Sequence, residues 1–461
     1  MPMVIPVIVV VWRERSRLVN RSIKPCRSTS RVVFATLFLA LVATRSGAAE
    51  SITLNGSSAG FARNNAIIRA VLDRSSAEIA PLAKAAEALK PGEKACWSVV
   101  AASGPNAKAQ PVEVEKSADS SKISLLWVEP GQWPAGETRK WRLSAEAPAG
   151  YTSPWKWVDA ADGQLELHHR DRGLVFRYVR QPVTRPGLPP TQLRGAYLHP
   201  FLTPSGKQAT GDFSPNHTHH RGFFLAYAKT KRETATPDFW NIHAGLGKIV
   251  TDPAKIKTSV GPVSAQFTCE NAWQLREKTK PAENSGETVL NETWDMAIYE
   301  VPGQPAWVWD LTSTQTPLGK DLELSKHRYG GMAYRGPEPF VKGKLDVMTS
   351  EGNDDRKTAD QKPARWIDLT GPVADNSSEY VGAVMCDHPS NVRHPNVVRI
   401  HPVTLPFYSW VPAHSGNLNL KADKPATWQY RTMVHDGHPD RAKNQALFDD
   451  YASPVEVKSG N

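Results

Sequence analysis

Short apolar stretches separated by turn-forming residues make up most of the chain beyond residue 50. Many alternate apolar and polar positions and are rich in Val, Ile, Trp, Tyr and Phe, which predicts strands, while Pro, Gly, Ser and Thr mark the turns between them. The clearest strand-like stretches are residues 123–128, 174–179, 307–311 and 380–385. Helical crossovers of about 10 to 15 residues are missing, so the pattern predicts an all-β, antiparallel fold rather than a parallel α/β sheet.

Changes in composition divide the chain beyond its first 49 residues into three segments. Small residues with Pro and Gly at 147–150 separate two strand-rich regions. Residues 50–148 have the size of a small β-sandwich module, although the composition of residues 66–89 is partly helical and leaves that stretch ambiguous. Residues 149–440 hold many candidate strands, which require a large antiparallel β-supersandwich. The C-terminal tail, residues 441–461, is predicted to begin with a short helix and then to fray.

The first 49 residues have the features of a secretory signal peptide. Basic residues precede an apolar run at 32–42, and small residues follow at 46–49, which is the order found in cleavable signals. The run is too short for a typical spanning helix, and nothing after residue 49 is long and apolar enough to cross a bilayer. The chain is therefore expected to be exported to the periplasm or the extracellular space, with an uncleaved anchor as the alternative.

Most of the basic character of the chain belongs to this leader. The formal net charge is +10, and residues 1–49 contribute +7 of it from eight Lys and Arg and one Glu, which leaves +3. Since no Lys/Arg-rich tract occurs elsewhere, no nucleic-acid partner is expected. Cys96, Cys269 and Cys386 are widely spaced and form no CxxC, so a disulfide framework and a thiolate zinc site are both disfavoured.

Motifs of several common enzyme classes are missing. The sequence has no GxSxG, no P-loop, no GxGxxG before a helix and no HExxH. The serine hydrolase, NTPase, dinucleotide-binding and zincin classes therefore lack support, and no nucleotide cofactor is expected.

Histidines cluster in one part of the larger segment. Five of the fourteen histidines lie within one 45-residue stretch, namely His199, His217, His219, His220 and His243. Near neutral pH an imidazole can accept a proton, donate one or bind a metal. If the HxHH stretch is extended, His217 and His219 share one face, His220 points to the other, and Arg221 returns to the first.

Three interpretations of this cluster stay open. One is an acid–base site, in which His219, His220 and His243 are catalytic and His199, His217, Arg221 and Trp240 bind the substrate. Another is a divalent metal held by His217 and His219 with a remote histidine. The third is structural, with histidines bonding the loop backbone and packing on aromatic side chains.

A second polar stretch, CDHPSNVRHPNVVRIH at residues 386–401, is expected to form another wall of the same pocket. Asp387, His388, Asn391 and His394 would bind hydroxyl or carboxylate groups there. The alternative is a turn in which the Asp and Asn side chains accept hydrogen bonds from backbone amides.

A third stretch, LELSKHRYGGMAYR at residues 322–335, contains two consecutive glycines that interrupt a strand. Glycines allow close approach of the backbone to a ligand, so His327 and Arg335 are predicted to lie at a third pocket wall. The chain also has 15 tryptophans. Their flat faces suit sugar rings, although core packing is favoured for most of them.

Five motifs follow one another in the larger segment: LHPFLTPSGKQATGDFSPNHTHHRGFFLAY at 198–227, DFWN at 238–241, RYGGMAYR at 328–335, CDHPSNVRHP at 386–395 and YRTMVHDG at 430–437. Together they resemble the PmoA-like family of uncharacterised exported bacterial proteins, over roughly residues 155–440. The resemblance implies a large antiparallel sandwich similar to galactose mutarotases, glycoside hydrolases and polysaccharide lyases, and a link to sugar degradation. The methane oxygenase label does not fit a chain without spanning segments, and the catalytic glutamate of the mutarotases cannot be placed in this sequence.

The function expected from these features is that of an exported carbohydrate-active enzyme. A histidine would remove a proton next to a carbonyl or carboxylate, as in a lyase or epimerase, and Arg221 would stabilise the resulting charge. Hydrolysis ranks lower because it needs two carboxylates about 5 to 10 Å apart, and the sequence offers no convincing pair. The alternatives are a non-catalytic carbohydrate-binding protein and a metal-dependent enzyme built on His217 and His219.

Overall fold

The structure, a computed structural model, describes residues 51–460 apart from residues 59, 77–78, 88, 90–92, 103–107, 118, 184, 216, 277–285 and 343–344. The predicted signal peptide, residues 1–49, lies outside the described residues. The described chain consists mainly of antiparallel strands with four α-helices, which confirms the predicted all-β class. These residues belong to one compact unit, so the boundary expected near residue 148 stays a prediction.

The strands and helices are numbered in chain order. The first group is β1 (Ser51–Ser57), β2 (Arg63–Asp73), α1 (Ala80–Glu87), β3 (Ala95–Ala101), β4 (Gln110–Lys116), β5 (Lys122–Trp133), β6 (Thr138–Ser144), β7 (Trp155–Asp159), β8 (Leu165–His169), β9 (Gly173–Val179) and β10 (Tyr197–Phe201). The second group is β11 (Asp212–Ser214), β12 (His217–Arg221), β13 (Phe223–Ala226), β14 (Thr230–Lys231), β15 (Gly247–Thr251), β16 (Lys257–Val260), β17 (Ser264–Leu275), β18 (Thr288–Glu300), β19 (Ala306–Pro317) and β20 (Leu322–Leu324). The third group is β21 (Gly331–Arg335), α2 (Pro339–Lys342), β22 (Asp346–Thr349), α3 (Arg356–Ala359), β23 (Lys362–Pro363), β24 (Trp366–Pro372), β25 (Tyr380–Asp387), β26 (Val397–Ile400), β27 (Phe407–Val411), β28 (Leu418–Leu420), β29 (Ala426–Asp436), α4 (Arg441–Ala452) and β30 (Glu456–Ser459).

The first six strands and the last one form the N-terminal sheet, in the order β2-β5-β4-β3-β6-β1-β30. The ambiguous stretch of residues 66–89 contains the end of β2 and the whole of α1. The core of the N-terminal sheet includes Trp127 and Trp141, whose rings pack edge-to-face with their centroids 5.4 Å apart. The tail begins with helix α4 as predicted, but the expected fraying is not observed, because β30 pairs with β1 and completes this sheet.

Two nine-stranded sheets form the large sandwich. The front sheet has the order β23-β26-β27-β21-β13-β10-β9-β8-β7, and the back sheet has the order β15-β17-β18-β19-β29-β25-β24-β22 with β16 on β17. Alternating apolar side chains of the two sheets meet in a common core. Phe223 of the front sheet, for example, lies 5.1 Å from Trp309 of the back sheet between ring centroids. Burial of such large rings is a main source of stability in sandwich folds.

The other face of the back sheet is also covered. Ile67 and Leu126 of the N-terminal sheet and Phe448 of α4 pack in one cluster with back-sheet residues such as Met433. A buried ion network supports this contact, since Asp450 of α4 pairs with Arg431 at 2.8 Å. Strands β24 and β25 are therefore buried on both faces, and β25 is largely apolar on both, which explains why its sequence does not alternate.

Candidate functional site

An open cleft of about 490 Å³ is lined by four of the eight histidines predicted as site residues. Its lining comes from β12, the 3₁₀ turn Ile242–Ala244, the loop before β21 and the segment that joins β26 to β27. These segments are far apart in sequence, but β13, β21, β27 and β26 are consecutive neighbours in the front sheet. The sheet order therefore brings the segments to one place. Five histidines line the cleft, namely His217, His219, His220, His243 and His401.

The histidine run lies on β12, which pairs with β11 in a short two-stranded ribbon of irregular register. The ribbon is held close to the front sheet at Gly222, where φ is +42°. A Cβ at this position would lie 2.0 Å from the carbonyl oxygen of Leu198. Only glycine allows this approach, so Gly222 fixes the place of the histidine run against β10.

The imidazole rings are within reach of one another. His219 has its ring centroid 4.5 Å from that of His220, 5.4 Å from that of His217 and 5.2 Å from that of His243. His401 extends the group, 6.3 Å from His217. The expected alternation of faces does not hold, because His220 lines the same cleft as its neighbours. The irregular pairing of the ribbon accounts for this difference.

Burial keeps several of these imidazoles uncharged. Desolvation, together with the smaller effects of neighbouring cations and histidines, lowers the pKa of His219 to about 3 and that of His401 to about 4. The pKa values of His217 and His220 are also lowered, again mainly by desolvation. The Nδ1 atoms of His217 and His220 are buried without a hydrogen-bond partner. His217, His219, His220 and His401 are therefore neutral imidazoles near neutral pH.

Aromatic side chains form one wall. The ring of His220 lies 4.4 Å from that of Phe407 and 5.5 Å from that of Trp240. Tyr329 packs 5.6 Å from Trp240, and its hydroxyl is 3.2 Å from the Asn241 amide nitrogen. This wall combines flat apolar faces with a few polar groups, as ligand-binding clefts usually do.

Two arginines supply the charge of the cleft. Arg399 pairs with Asp360 behind the cleft wall. Arg328 is exposed, lies 6.0 Å from the ring centroid of Tyr329, and has no ion-pair partner among the residues that the structure describes. Within the described part of the chain, no Asp or Glu lines the cleft. The cleft is therefore cationic or neutral throughout its lining.

Arg221 and Arg335, two predicted substrate-binding residues, do not line the cleft. Both side chains are fully buried. Arg221 pairs with Asp212 at 3.1 Å and stacks 3.4 Å over Phe213, and Arg335 pairs with Glu338 at 2.5 Å. They support the ribbon and its surroundings, so the structure does not place Arg221 where it could stabilise charge on a substrate in this cleft.

His199 and His327 also lie outside the lining. His199 Nδ1 is 2.9 Å from the hydroxyl of Thr210, and burial lowers its pKa to about 4. His327 contacts Tyr329 with ring centroids 4.3 Å apart, and burial lowers its pKa. Both histidines therefore lie near the cleft wall rather than facing its space.

The stretch of residues 386–401 contributes to the cleft only at its end. Asp387 is fully buried and accepts hydrogen bonds from Asn391 Nδ2 at 2.8 Å and His394 Nδ1 at 2.9 Å. His388 bonds Ser390, and its ring lies 4.8 Å from that of Tyr451 in α4. These four residues, the Asp387 cluster, therefore stabilise a turn against α4, as in the structural alternative, and the expected second wall is supplied by Arg399 and His401 instead.

The sequence therefore indicated the correct stretches but not every residue that lines the cleft. His401 is the last residue of the stretch 386–401, in which Asp387 was predicted to bind substrate. Arg328 and Tyr329 lie between His327 and the paired glycines. Gln192 and Phe407 had no signal, because each lies in an ordinary strand or turn context.

The residues of the cleft do not form a recognisable metal centre. Across the described residues, no group of three or more His, Cys, Asp and Glu side chains is arranged so that it could hold a metal ion. A metal at His217 and His219 stays a prediction that rests on two neighbouring imidazoles and their neutral state.

The chain resembles known proteins to different degrees. No curated protein matches it. Similar solved structures are an alpha-mannosidase from Enterococcus faecalis V583 (TM-score 0.36, 9% identity, covering 89% of this chain and 46% of that one) and a protein in the glycosyl hydrolase family 38 from Enterococcus faecalis (TM-score 0.35, 9% identity, 89% and 48%). This chain spans about half the length of those two proteins, and the likeness is too weak to bear on its activity.

Within its described part, the chain has no helix of the length and hydropathy that a membrane crossing requires. The model of the family of unknown function DUF6807 matches residues 164–449. The match includes every residue of the cleft and well over half of the sequence. This chain therefore belongs to the family of unknown function DUF6807.

Proposed function

We propose that this protein is an exported carbohydrate-active enzyme in which His219 transfers a proton from carbon on a sugar bound in the cleft. The observation that carries the proposal is that neutral imidazoles of His217, His219 and His401 face one open cleft whose described lining has no carboxylate. Neutral imidazole is the form that accepts a proton. The signal-like leader supports export, and the similarity to galactose mutarotases and the PmoA-like label stay predictions.

The pKa of His219, about 3, makes this imidazole a weak base. Negative charge that develops on a substrate within a few ångströms raises the pKa of the imidazole, because it favours the charged form. The basicity of His219 therefore increases as the reaction proceeds. This behaviour suits a base that must be unprotonated when the substrate binds.

The reaction class follows from these groups. His219 removes a proton from the carbon next to a carbonyl or carboxylate, and the electron pair of the broken C–H bond moves onto the oxygen of an enolate. Arg328 and Arg399 stabilise that oxygen, a task earlier assigned to Arg221. Epimerisation requires that water or a second group donates a proton to the opposite face of the carbon, after which His219 passes its own proton to water. Elimination instead forms a C=C bond, breaks the neighbouring C–O bond and passes the proton from His219 to the leaving oxygen.

The rest of the lining suits a polyhydroxylated ring. Gln192, Thr218 and Asn241 offer hydrogen-bonding groups, and Tyr329 offers an aromatic face at the cleft. Hydrolysis by the usual route needs two carboxylates on opposite sides of the scissile bond. The described lining has none, so we do not propose hydrolysis.

Hydrogen exchange at carbon tests the proposal directly. Mature protein, from residue 50 onward, is incubated in D₂O with a panel of sugars, oxidised sugars and glycans, and proton NMR follows exchange, epimerisation and elimination. We expect exchange or turnover with wild type and a loss of about 10²- to 10⁴-fold in the His219→Asn variant. His168→Asn, on β8 and paired with Glu166, is the control and should keep full activity.

Two results would count against the proposal. If His219→Asn retains wild-type turnover, another group is the base. If sugars bind but neither exchange nor turnover occurs with any of them, the protein is the non-catalytic carbohydrate-binding protein of the alternative interpretation.

A further inference from the structure

The charge of the cleft is unusually one-sided. Arg328, Arg399 and five histidines line it, and no Asp or Glu of the described chain does. A cleft for neutral sugars usually has no reason to exclude carboxylates, because Asp and Glu accept hydrogen bonds from sugar hydroxyls well. A cleft for an anionic ligand does have a reason, since a buried carboxylate beside a bound anion would be repelled.

The acidic residues behind the cleft wall already form ion pairs or hydrogen bonds within the protein. Asp212 pairs with Arg221, Glu338 with Arg335 and Asp360 with Arg399. Asp238 accepts hydrogen bonds from the backbone amides of Trp240 and Asn241. None of these carboxylates faces the cleft, so none of them neutralises the positive charge at the surface that a ligand would contact.

A further buried cation lies directly behind the histidine run. Arg194 is 3% exposed and has no carboxylate within salt-bridge distance among the described residues. Its guanidinium is 3.4 Å from the carbonyl oxygen of His219 and 3.5 Å from that of Phe239, both at the long limit for a hydrogen bond, and its Nε has no partner. Burial lowers the pKa of Arg194 to about 9, which still leaves it charged at pH 7. An uncompensated cation at this place favours an anion in the cleft.

We infer that the ligand of the cleft is a carboxylate-bearing sugar of the uronate class, and that its binding is accompanied by uptake of a proton onto a histidine of the cluster other than His219, which stays free to act as the base. This inference rests on the proposed function and names the substrate for it. Arg328 is the residue that we expect to hold the carboxylate, because it is exposed at the cleft and has no ion pair of its own in the described structure.

The site of proton uptake follows from the groups that face the histidines. Desolvation comes first, and His217 on β12, His243 on the 3₁₀ turn, and Arg194 and Arg221 behind the strand further disfavour a positive charge on His219. Arg335 acts in the same way on His217 and His220, and Arg399 on His401. A bound carboxylate opposes these repulsions and raises the pKa of the nearest imidazole. Binding is therefore tighter in acid and weakens as the pH rises through the raised pKa.

The test compares each uronate with its parent hexose, because the two differ only in a carboxylate against a hydroxymethyl group. Calorimetric titrations of mature protein use galacturonate and galactose, glucuronate and glucose, and mannuronate and mannose. We expect at least one uronate to bind at least about tenfold more tightly than its parent hexose, and its affinity to fall as the pH rises from about 4, the pKa of His401 in the protein alone, through the raised value. Repeating the titration in buffers of different ionisation enthalpy counts the protons taken up.

The Arg328→Gln variant should lose most of the preference for uronates, while Lys255→Gln, which removes an exposed charge paired with Glu270, should retain it. Both positions are on the surface, so thermal unfolding should be unchanged. If no uronate binds more tightly than its parent hexose, the inference is wrong, although loss of turnover in His219→Asn would still support the proposed function. If uronates bind more tightly than hexoses but their affinity does not depend on pH, the proton uptake is wrong and the uronate assignment stands.

Discussion

Two polar regions of this chain look alike in sequence but differ in their chemistry. The histidine cleft and the Asp387 cluster both concentrate His, Asn and charged residues in short stretches. In the Asp387 cluster, His394 and Asn391 each bond the buried carboxylate of Asp387. Among the described residues that line the cleft there is no carboxylate, and the buried Nδ1 atoms of His217 and His220 have no hydrogen-bond partner.

The difference separates a structural role from a functional one. Buried polar groups that serve the fold are usually satisfied by neighbours, as around Asp387. Unsatisfied groups with shifted pKa values weaken the fold and are more often found where a ligand supplies the missing partner. The comparison therefore assigns stability to the Asp387 cluster and ligand chemistry to the cleft, and each assignment can be tested separately.

The largest effect on stability is expected from Asp387→Ala. The carboxylate is 0% exposed and also accepts a hydrogen bond from the Asn396 backbone amide at 2.9 Å. Its removal leaves several buried donors without a partner, so we expect a loss of about 3 to 5 kcal/mol in the free energy of unfolding. Urea unfolding measures it. Asp171→Ala, an exposed residue paired with Arg170, should cost less than about 1 kcal/mol.

A loss similar to that of the exposed control would show that the Asp387 cluster does not stabilise the turn. Activity per folded molecule sharpens the comparison, because Asp387→Ala should turn over substrate normally once the unfolded fraction is subtracted. A specific loss of activity would return this cluster to the functional site.

The sequence predicted the fold class better than it predicted the pocket. Strand alternation and missing crossovers are local signals, and they were sufficient for an all-β sandwich. The run of His217, His219 and His220 was also local and was found. The partners Arg328 and His401 come from more than a hundred residues away, and only the neighbouring positions of β13, β21, β27 and β26 bring them there. Strand order is not encoded in local periodicity, so these residues could not be chosen over His327 or His388.

An intermediate effect is expected from the pH dependence of stability. The folded-state pKa values of His219 and His401, about 3 and about 4, lie below the value of about 6.5 for an unfolded chain. Between those values the unfolded state binds more protons, so stability is lost as the pH falls below about 6.5. Each histidine contributes at most about 1.4 kcal/mol per pH unit, and partial exposure reduces this.

A variant with both histidines replaced by Asn should therefore lose roughly 2 kcal/mol less than wild type between pH 7 and pH 4.5. Urea unfolding at the two pH values measures the difference, and titrations common to both proteins cancel. Parallel losses in the two proteins would mean that these imidazoles are not destabilised in their charged form, which would remove the main physical distinction between the cleft and the Asp387 cluster.

The smallest effect is expected from His388→Ala, and it tests the assignment most finely. His388 belongs to the stretch that the sequence linked to the pocket, but it bonds Ser390 and packs on Tyr451. We expect a loss of less than about 1 kcal/mol in the free energy of unfolding, because the side chain is partly exposed and its hydrogen bonds can be replaced by water. Substrate affinity and turnover should not change, whereas His401→Ala should weaken both. Equal losses of turnover in the two variants would show that the turn at Asp387 contacts the substrate, since a purely structural histidine packed against α4 would not affect turnover.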